Sequence, residues 1–323
     1  VKPYYSDEFV TLYLGDCREI APTLDAGSVD FVFTDPPYGH NNNNNGDLAH
    51  RREAALGIAE VHGEARPIAG DDFDEANALV QFAFAEFSRL LKPGGCCCCC
   101  CCGGGPDPQF ARWSLWLDDA LGFKQAVVWD KGGLGMGWHY RRNYELVLVG
   151  EKPGAKCKWY GGNDTPNVFR LSGLKPSATD HPTPKPEGLV GHFLGLHSLP
   201  GDLVLDPFAG GGTTLIVAKR LQRRAVGIEI DERWAEHAAK RLSQGVLWTP
   251  TQLQEFKSAS SYRRLVSVMT DDQLDLFSTL ARSTPAMPFA MRDEIADAEE
   301  RQEPGKVQAI KLRGVEVIRS SLL

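Results

Sequence analysis

The chain has 323 residues, enough for one large domain or two small ones with a substantial core. Its composition, 42% hydrophobic and 24% charged, is that of a soluble globular protein, and no apolar run approaches the roughly 18 residues that span a bilayer. The net charge of -7 argues against a uniformly basic surface, yet the acidic excess sits in residues 1–120, whereas residues 121–185 carry twice as many basic as acidic side chains. A polyanion would be drawn to that stretch.

In chain order, Val1 to Asp16 lacks the basic-then-apolar layout of a secretory signal, so a reducing cytoplasm is the expected compartment. Val29–Phe33 reads as a strand, Glu75–Leu91 as a helix, Cys96–Cys102 as a strand and Phe110–Leu121 as a helix. Gln125–Trp129 and Tyr144–Val149 follow as strands, and Glu187–His197 as a helix. Leu203–Leu205 is a strand, Thr213–Leu221 a helix, Ala225–Ile230 a strand and Glu232–Leu242 a helix. Such alternation predicts an α/β fold, a mostly parallel sheet with helices on both faces. Three stretches fall outside it: a polar insertion over 39–72, a basic Gly/Pro/Lys-rich segment over 150–180, and a less compact tail over 249–323. The remaining residues, 1–248, form the expected catalytic domain.

The run Cys96 to Cys102 is not the dispersed pattern of a disulfide framework. A free cysteine behaves as a small apolar residue, so the run reads as a fully buried strand. Same-face neighbours on a strand lie about 6–7 Å apart, too far to share one tetrahedral zinc. No metal ligand set is expected from it.

Two motifs carry chemistry. Thr34-Asp35-Pro36-Pro37-Tyr38 stands at the carboxyl end of an apolar strand, where doubly wound sheets place ligands. Prolines fix the backbone and offer no N–H, so carbonyls remain free to accept beside a carboxylate and an aromatic ring. That set suits a planar ring bearing an amino group. Asp206-Pro207-Phe208-Ala209-Gly210-Gly211-Gly212 again links a strand to a helix. Its glycines admit close backbone approach, the helix start favours a carboxylate, and Glu229 on the next strand is spaced to accept from ribose hydroxyls. The loop lacks the lysine of a nucleoside-triphosphate loop.

These motifs, in this order, resemble the S-adenosylmethionine-dependent DNA amino-methyltransferases of the N6-adenine/N4-cytosine family, with the motif order of its beta group. Gly15-Asp16-Cys17, Leu91-Lys92-Pro93-Gly94-Gly95 and His181-Pro182-Thr183-Pro184-Lys185-Pro186 fit as well, so that the resemblance covers residues 10–245. It implies a seven-stranded, doubly wound, Rossmann-like methyltransferase sheet. Catalysis falls to Asp35, Pro36, Pro37 and Tyr38. S-adenosylmethionine binding falls to Asp206, Phe208, Gly210, Gly212 and Glu229, with Asp16 near the donor's adenine and Lys185 near its methionine end. A cap on a helix is the simpler role for Asp16, and a solvated surface position for Lys185.

An Asp at the first tetrad position implies N6 of adenine in double-stranded DNA as the target, reached by base flipping. N4 of cytosine is the runner-up, and a catalytically silent DNA- or clamp-binding protein that keeps the fold is the reading from another class. Methylation at cytosine C5 is disfavoured because no Pro-Cys dipeptide exists, and Asp35 argues against the Asn-Pro-Pro-Tyr enzymes that modify glutamine amides. DNA contacts are expected from Asn41 and Asn42, from Arg141 and Arg142, and from Lys156, Lys158 and Trp159, with 150–180 as a short target-recognition segment. Gln273-Leu274-Asp275-Leu276-Phe277 resembles the pentapeptide that docks bacterial proteins on the DNA polymerase sliding clamp, with an amphipathic helix as the simpler role. Homodimers are common in the family, though no residue here demonstrates one. The expected setting is the cytoplasm of a bacterial or phage-infected cell.

Overall fold

The computed structural model describes residues 1–39, 68–101, 109–133, 142–172 and 185–244, and the backbone of 308–312 and 315–319. The chain divides into two units, Val1–Val246 and Leu247–Leu323. In the second, β10 (Gln308–Leu312) and β11 (Val315–Arg319) pair antiparallel, strands that the tail's polar composition does not announce.

The first unit holds β1 (Tyr5–Ser6), β2 (Val10–Leu14), α1 (Cys17–Ile20), β3 (Val29–Thr34), α2 (Phe73–Leu90), β4 (Leu91–Cys101), α3 (Phe110–Ala120), β5 (Phe123–Asp130) and β6 (Tyr144–Glu151). It continues with β7 (Val168–Arg170), α4 (Glu187–His197), β8 (Leu203–Asp206), α5 (Thr213–Arg220), β9 (Arg224–Glu229) and α6 (Glu232–Ser243). Its nine strands form one sheet in the order β1-β2-β9-β8-β3-β4-β6-β5-β7. The expected seven-stranded sheet is thus present with one short strand added at each edge. The pairings β2–β9, β9–β8, β8–β3 and β3–β4 are parallel, whereas β4–β6 and β6–β5 are antiparallel. The sheet is therefore mixed: its parallel half carries the motifs and its antiparallel half closes one side.

The β2 strand is not among the elements expected from the sequence, although Val10 and Leu12 are buried and alternate with partly exposed Thr11 and Tyr13. It places Gly15-Asp16 after a strand rather than ahead of the first one. The cysteine run is a strand as expected, but β4 begins at Leu91, and Cys96 to Cys101 are all buried. Cys97, Cys99 and Cys101 face a core with Phe84 and Phe87 of α2 and Trp113 and Leu117 of α3. Burial on both faces explains the continuous apolar run where a half-exposed strand would alternate.

Helices α1, α2 and α3 cover one face of the sheet, and α4, α5 and α6 pack around the other. Asp72 caps α2 by accepting from Asp74 N–H at 3.0 Å, and Ala76, Leu79, Val80, Ala83, Phe84, Phe87 and Leu90 form its buried stripe. At the N-terminus of α5, Gly212 sits at φ 79°, and a Cβ there would lie 2.7 Å from Ala238 Cβ on α6. Only glycine meets both demands. Gly212→Ala is expected to cost about 1–3 kcal/mol, read as a lower midpoint in thermal unfolding; an unchanged midpoint would show that the α5–α6 contact yields freely.

Candidate active site

Parallel strands all point their carboxyl ends the same way, so adjacent strands can assemble one row of side chains along a single edge of the sheet. Here Asp16 follows β2, Glu229 ends β9, Asp206 ends β8 and Asp35 follows β3. Four acidic groups thus line four neighbouring strands. Because β6 runs antiparallel to β4, its beginning, with Glu145, lies at the same edge.

Around Asp35 the side chains form a closed charge cluster. Lys185 Nζ lies 2.7 Å from Asp35 Oδ2 and 3.3 Å from Glu145 Oε2. Tyr38 donates its hydroxyl hydrogen to Asp35 Oδ1 at 2.7 Å, and Lys185 donates to the Tyr38 oxygen at 3.1 Å. The Lys185 ammonium also stands 5.1 Å from the centroid of the Tyr38 ring. Lys131 Nζ closes the set on Glu145 Oε1 at 2.7 Å. Trp113 supports the Tyr38 ring edge-on, with centroids 6.2 Å apart. The next residue, Gly39, is anchored by its N–H to Asp71 Oδ1 at 2.8 Å.

The two carboxylates differ in their protonation. Desolvation raises both, but Glu145 is faced by two ammonium groups and is held down at about 2. Asp35 stays above the ordinary carboxylate range, because loss of solvent outweighs the pull of Lys185 and the nearby Glu145 adds repulsion. Lys185 is held firmly protonated: the two carboxylates overcome the burial that would release its proton. Glu145, Lys131 and Trp113 are not among the site residues expected from the sequence. The signal for Glu145 is its position as a lone charge opening the apolar strand Tyr144–Val149.

Beside this cluster lies the glycine loop. Asp206 is 3% exposed, accepts from Thr34 Oγ1 at 2.8 Å and from Phe208 N–H at 3.1 Å, and so braces the ends of β8 and β3. Glu229 accepts from Gly210 N–H at 2.7 Å and Asp231 N–H at 2.8 Å, one bond to each oxygen. Each carboxylate oxygen has a second lone pair left for a ligand hydroxyl. Burial lifts Asp206 to about 6 and Glu229 to about 7, against the hydrogen bonds that would lower them. A donor bearing ribose hydroxyls and a carboxylate fits this set: buried acceptors on one side, loop N–H groups at a helix start on the other. Asp16 caps α1 through Arg18 N–H at 2.8 Å and forks with the Arg18 guanidinium, while Gly15 N–H bonds Glu229 O at 2.8 Å, tying Asp16 to the Glu229 end of the row.

The model of the DNA methylase family N6_N4_Mtase matches residues 29–240. The chain belongs to this family of DNA methylases. It is accordingly an S-adenosylmethionine-dependent DNA methyltransferase. Among curated relatives, the Type II methyltransferase M2.DpnII of Streptococcus pneumoniae is 26% identical over 280 residues, covering 75% of this chain and 92% of the relative. M2.LlaDCHI of Lactococcus lactis subsp. cremoris is 25% identical over 284 residues, covering 76% and 94%. Of solved structures, the DNA modification methylase TTHA0409 of Thermus thermophilus aligns with TM-score 0.53 and 25% identity over 74% of this chain and 96% of its own. The complex of M1.HpyAVI with SAM aligns at TM-score 0.53 and 23% identity over 72% and 99%, a likeness of fold.

The expected DNA contacts of the methylase separate into two groups. Arg142, just before β6, lies at the catalytic edge. Lys156, Lys158 and Trp159 do not. They follow β6 at its far end, and their segment packs on the amino end of β4, with Lys158 N–H bonding Gly94 O at 3.1 Å. Lys158 Nζ pairs with buried Asp30 at 2.6 Å, as does Lys92 at 2.7 Å. Asp30 opens β3 and Asp35 follows it, so the two ends of the strand stand about 16 Å apart. Lys158 therefore neutralises a core carboxylate, and Trp159 packs edge-on against His197 with centroids 5.3 Å apart. Asn41, Asn42, Arg141 and Gln273–Phe277 lie outside the described residues. Among the described residues no helix is long and apolar enough to cross a membrane.

Proposed function

We propose that this methylase transfers a methyl group to the N6 amino group of adenine in duplex DNA, acting on a base turned out of the helix. The observation that carries this reading is the placement of Asp35 and Tyr38 at the end of β3, next to the strand end that bears Asp206. S-adenosylmethionine, when bound, supplies a methyl group made electrophilic by its sulfonium. The exocyclic amine is a poor nucleophile because its lone pair is delocalised into the ring. Asp35 and the Pro36 carbonyl accept its two hydrogens, favouring a pyramidal nitrogen whose lone pair is free to attack. The Tyr38 ring stacks on the extruded base. As the N–C bond forms and the S–C bond breaks, the nitrogen becomes cationic and its proton passes toward Asp35. Positioning and electrostatics supply the rate, more than a strong base.

In the free protein Lys185 occupies both places the base needs, the Asp35 carboxylate and the Tyr38 ring. Entry of the target amine displaces this ammonium toward Glu145, which already holds it on the other side. An Asp at the tetrad's first position favours adenine over cytosine N4. Clamp docking by Gln273–Phe277 and assembly as a homodimer are separate proposals and do not enter this reading. The deciding experiment is nucleoside analysis of DNA from cells expressing the protein. N6-methyladenine in a single sequence context supports the proposal, and N4-methylcytosine moves the runner-up ahead. Donor binding with neither product would favour the non-catalytic reading.

Donor binding should also depend on pH in a way set by Glu229. Its carboxyl titrates at about 7, and the ionised form is the stronger acceptor for ribose hydroxyls. Donor affinity is therefore expected to rise roughly tenfold between pH 6 and pH 8. In Glu229→Gln most of that dependence should vanish. Calorimetric titration at both pH values checks this, and an equal slope in the variant would remove Glu229 from the donor site.

A further inference from the structure

Three side chains that the catalytic site does not use converge at the opposite end of the sheet. Cys96, the first of the cysteine run, is 1% exposed on β4; Cys157 lies in the connector after β6; His197, 4% exposed, ends α4. One ligand atom from each lies within 4.8 Å of the other two, and the two sulfurs are 3.2 Å apart. Three separate elements hold this triangle. Cys96 is fixed by its antiparallel pairing with Glu151 on β6. The connector bearing Cys157 is clamped to the sheet by Gly94 N–H to Lys152 O at 2.8 Å and Lys158 N–H to Gly94 O at 3.1 Å. Gly94 sits at φ 77°, and a Cβ there would lie 2.5 Å from Lys156 O, so the connector is seated directly on the backbone. His197 stacks on Phe31 with centroids 5.4 Å apart and planes 8° apart.

We propose that Cys96, Cys157 and His197 form a zinc site that fastens the 152–160 connector and the end of α4 to the amino end of the sheet. Two thiolates and an imidazole are zinc's preferred donors, and ligand atoms about 2.0–2.3 Å from the ion stand about 3.3–3.8 Å apart in a tetrahedron. The observed triangle needs only small adjustment to reach that geometry. The fourth corner faces Glu151, whose carboxylate is hydrogen-bonded to the Cys157 thiol and paired with Lys124 at 3.4 Å. Binding releases one proton from each thiol, and the two thiolates neutralise the dication, so no unpaired charge is buried. The run itself could not build such a site, because its same-face neighbours are too far apart. Its first member does so with ligands from two other elements. A disulfide between Cys96 and Cys157 would leave His197 without a role in the cluster.

The test uses tag-free, full-length protein from zinc-supplemented medium, dialysed and analysed for metal by mass spectrometry. About one zinc per chain is expected, falling at least fivefold in Cys157→Ser and in His197→Phe, which keeps the ring stacked on Phe31. Cobalt added to chelator-treated wild-type protein should give thiolate charge-transfer absorption and tetrahedral d–d bands, a readout independent of whether the variants fold. Zinc-free protein that gives no such cobalt spectrum would overturn the site. So would variants retaining the full metal content, or an intact mass lower by the two thiol hydrogens of a disulfide.

Discussion

Asp35→Asn is expected to lower the single-turnover methylation rate by about a thousandfold while changing donor affinity less than about threefold. The substitution keeps the size and planarity of the side chain but removes the charge. In its place stands an amide whose NH2 can turn toward the substrate amine as a second donor. It also abolishes the ion pair with Lys185 at 2.7 Å and weakens the acceptor of the Tyr38 hydroxyl. Donor binding should survive because Glu229 and the glycine loop brace one another rather than Asp35; the nearest brace, Asp206, bonds Thr34 and Phe208 instead. Rapid-quench measurement of methyl transfer, with donor affinity measured separately, separates the two effects. A rate within tenfold of wild type would mean that Asp35 does not hold the amine. A parallel collapse of donor binding would mean that it organises the whole edge of the sheet.

Lys185→Met should produce the second-largest effect, and one that depends on pH. Burial raises the pKa of Asp35, and the Lys185 ammonium is the main force against that rise. Without it, Asp35 and Glu145 face one another with only Lys131 to compensate Glu145. The sign follows: Asp35 binds its proton more tightly, so it is ionised only at higher pH. The acid limb of the rate profile should move upward, with the rate at pH 7 falling about 10- to 100-fold and part of the loss recovered in alkali. Methionine retains the length and apolar stem that lie over Tyr38. A loss of equal size at every pH would sink this electrostatic account and leave Lys185 acting on the donor alone, which a matching loss of donor affinity would reveal.

Much of the site is legible in the sequence because its residues are neighbours there. Asp35, Pro36 and Tyr38 come from one strand end, and Asp206, Phe208, Gly210 and Gly212 from one loop, so local spacing carries their relation. The family resemblance places Lys185 at the donor's methionine end; that it also bridges Asp35 and Glu145 needs the fold, because 150 residues and an antiparallel strand separate these partners. The basic segment over 150–180 shows the opposite case. Its charge reads as facing a polyanion, yet Lys158 is turned inward on Asp30. A sequence shows that a lysine is present but not which carboxylate it neutralises.

The alternation of elements, the buried character of β3 and β4, and the two motifs at strand ends follow from the sequence alone, because periodicity and turn chemistry are local properties. Tertiary structure decided the rest. It set the strand order that aligns Asp16, Glu229, Asp206 and Asp35 along one edge, and the reversal of β6 that brings Glu145 to Lys185. It also chose the end of the sheet at which Lys158 and Cys157 lie. The physical reason is range. Backbone preference and hydrophobic period act over a few residues, whereas ion pairs and ligand clusters depend on which distant strands become neighbours when the core is buried.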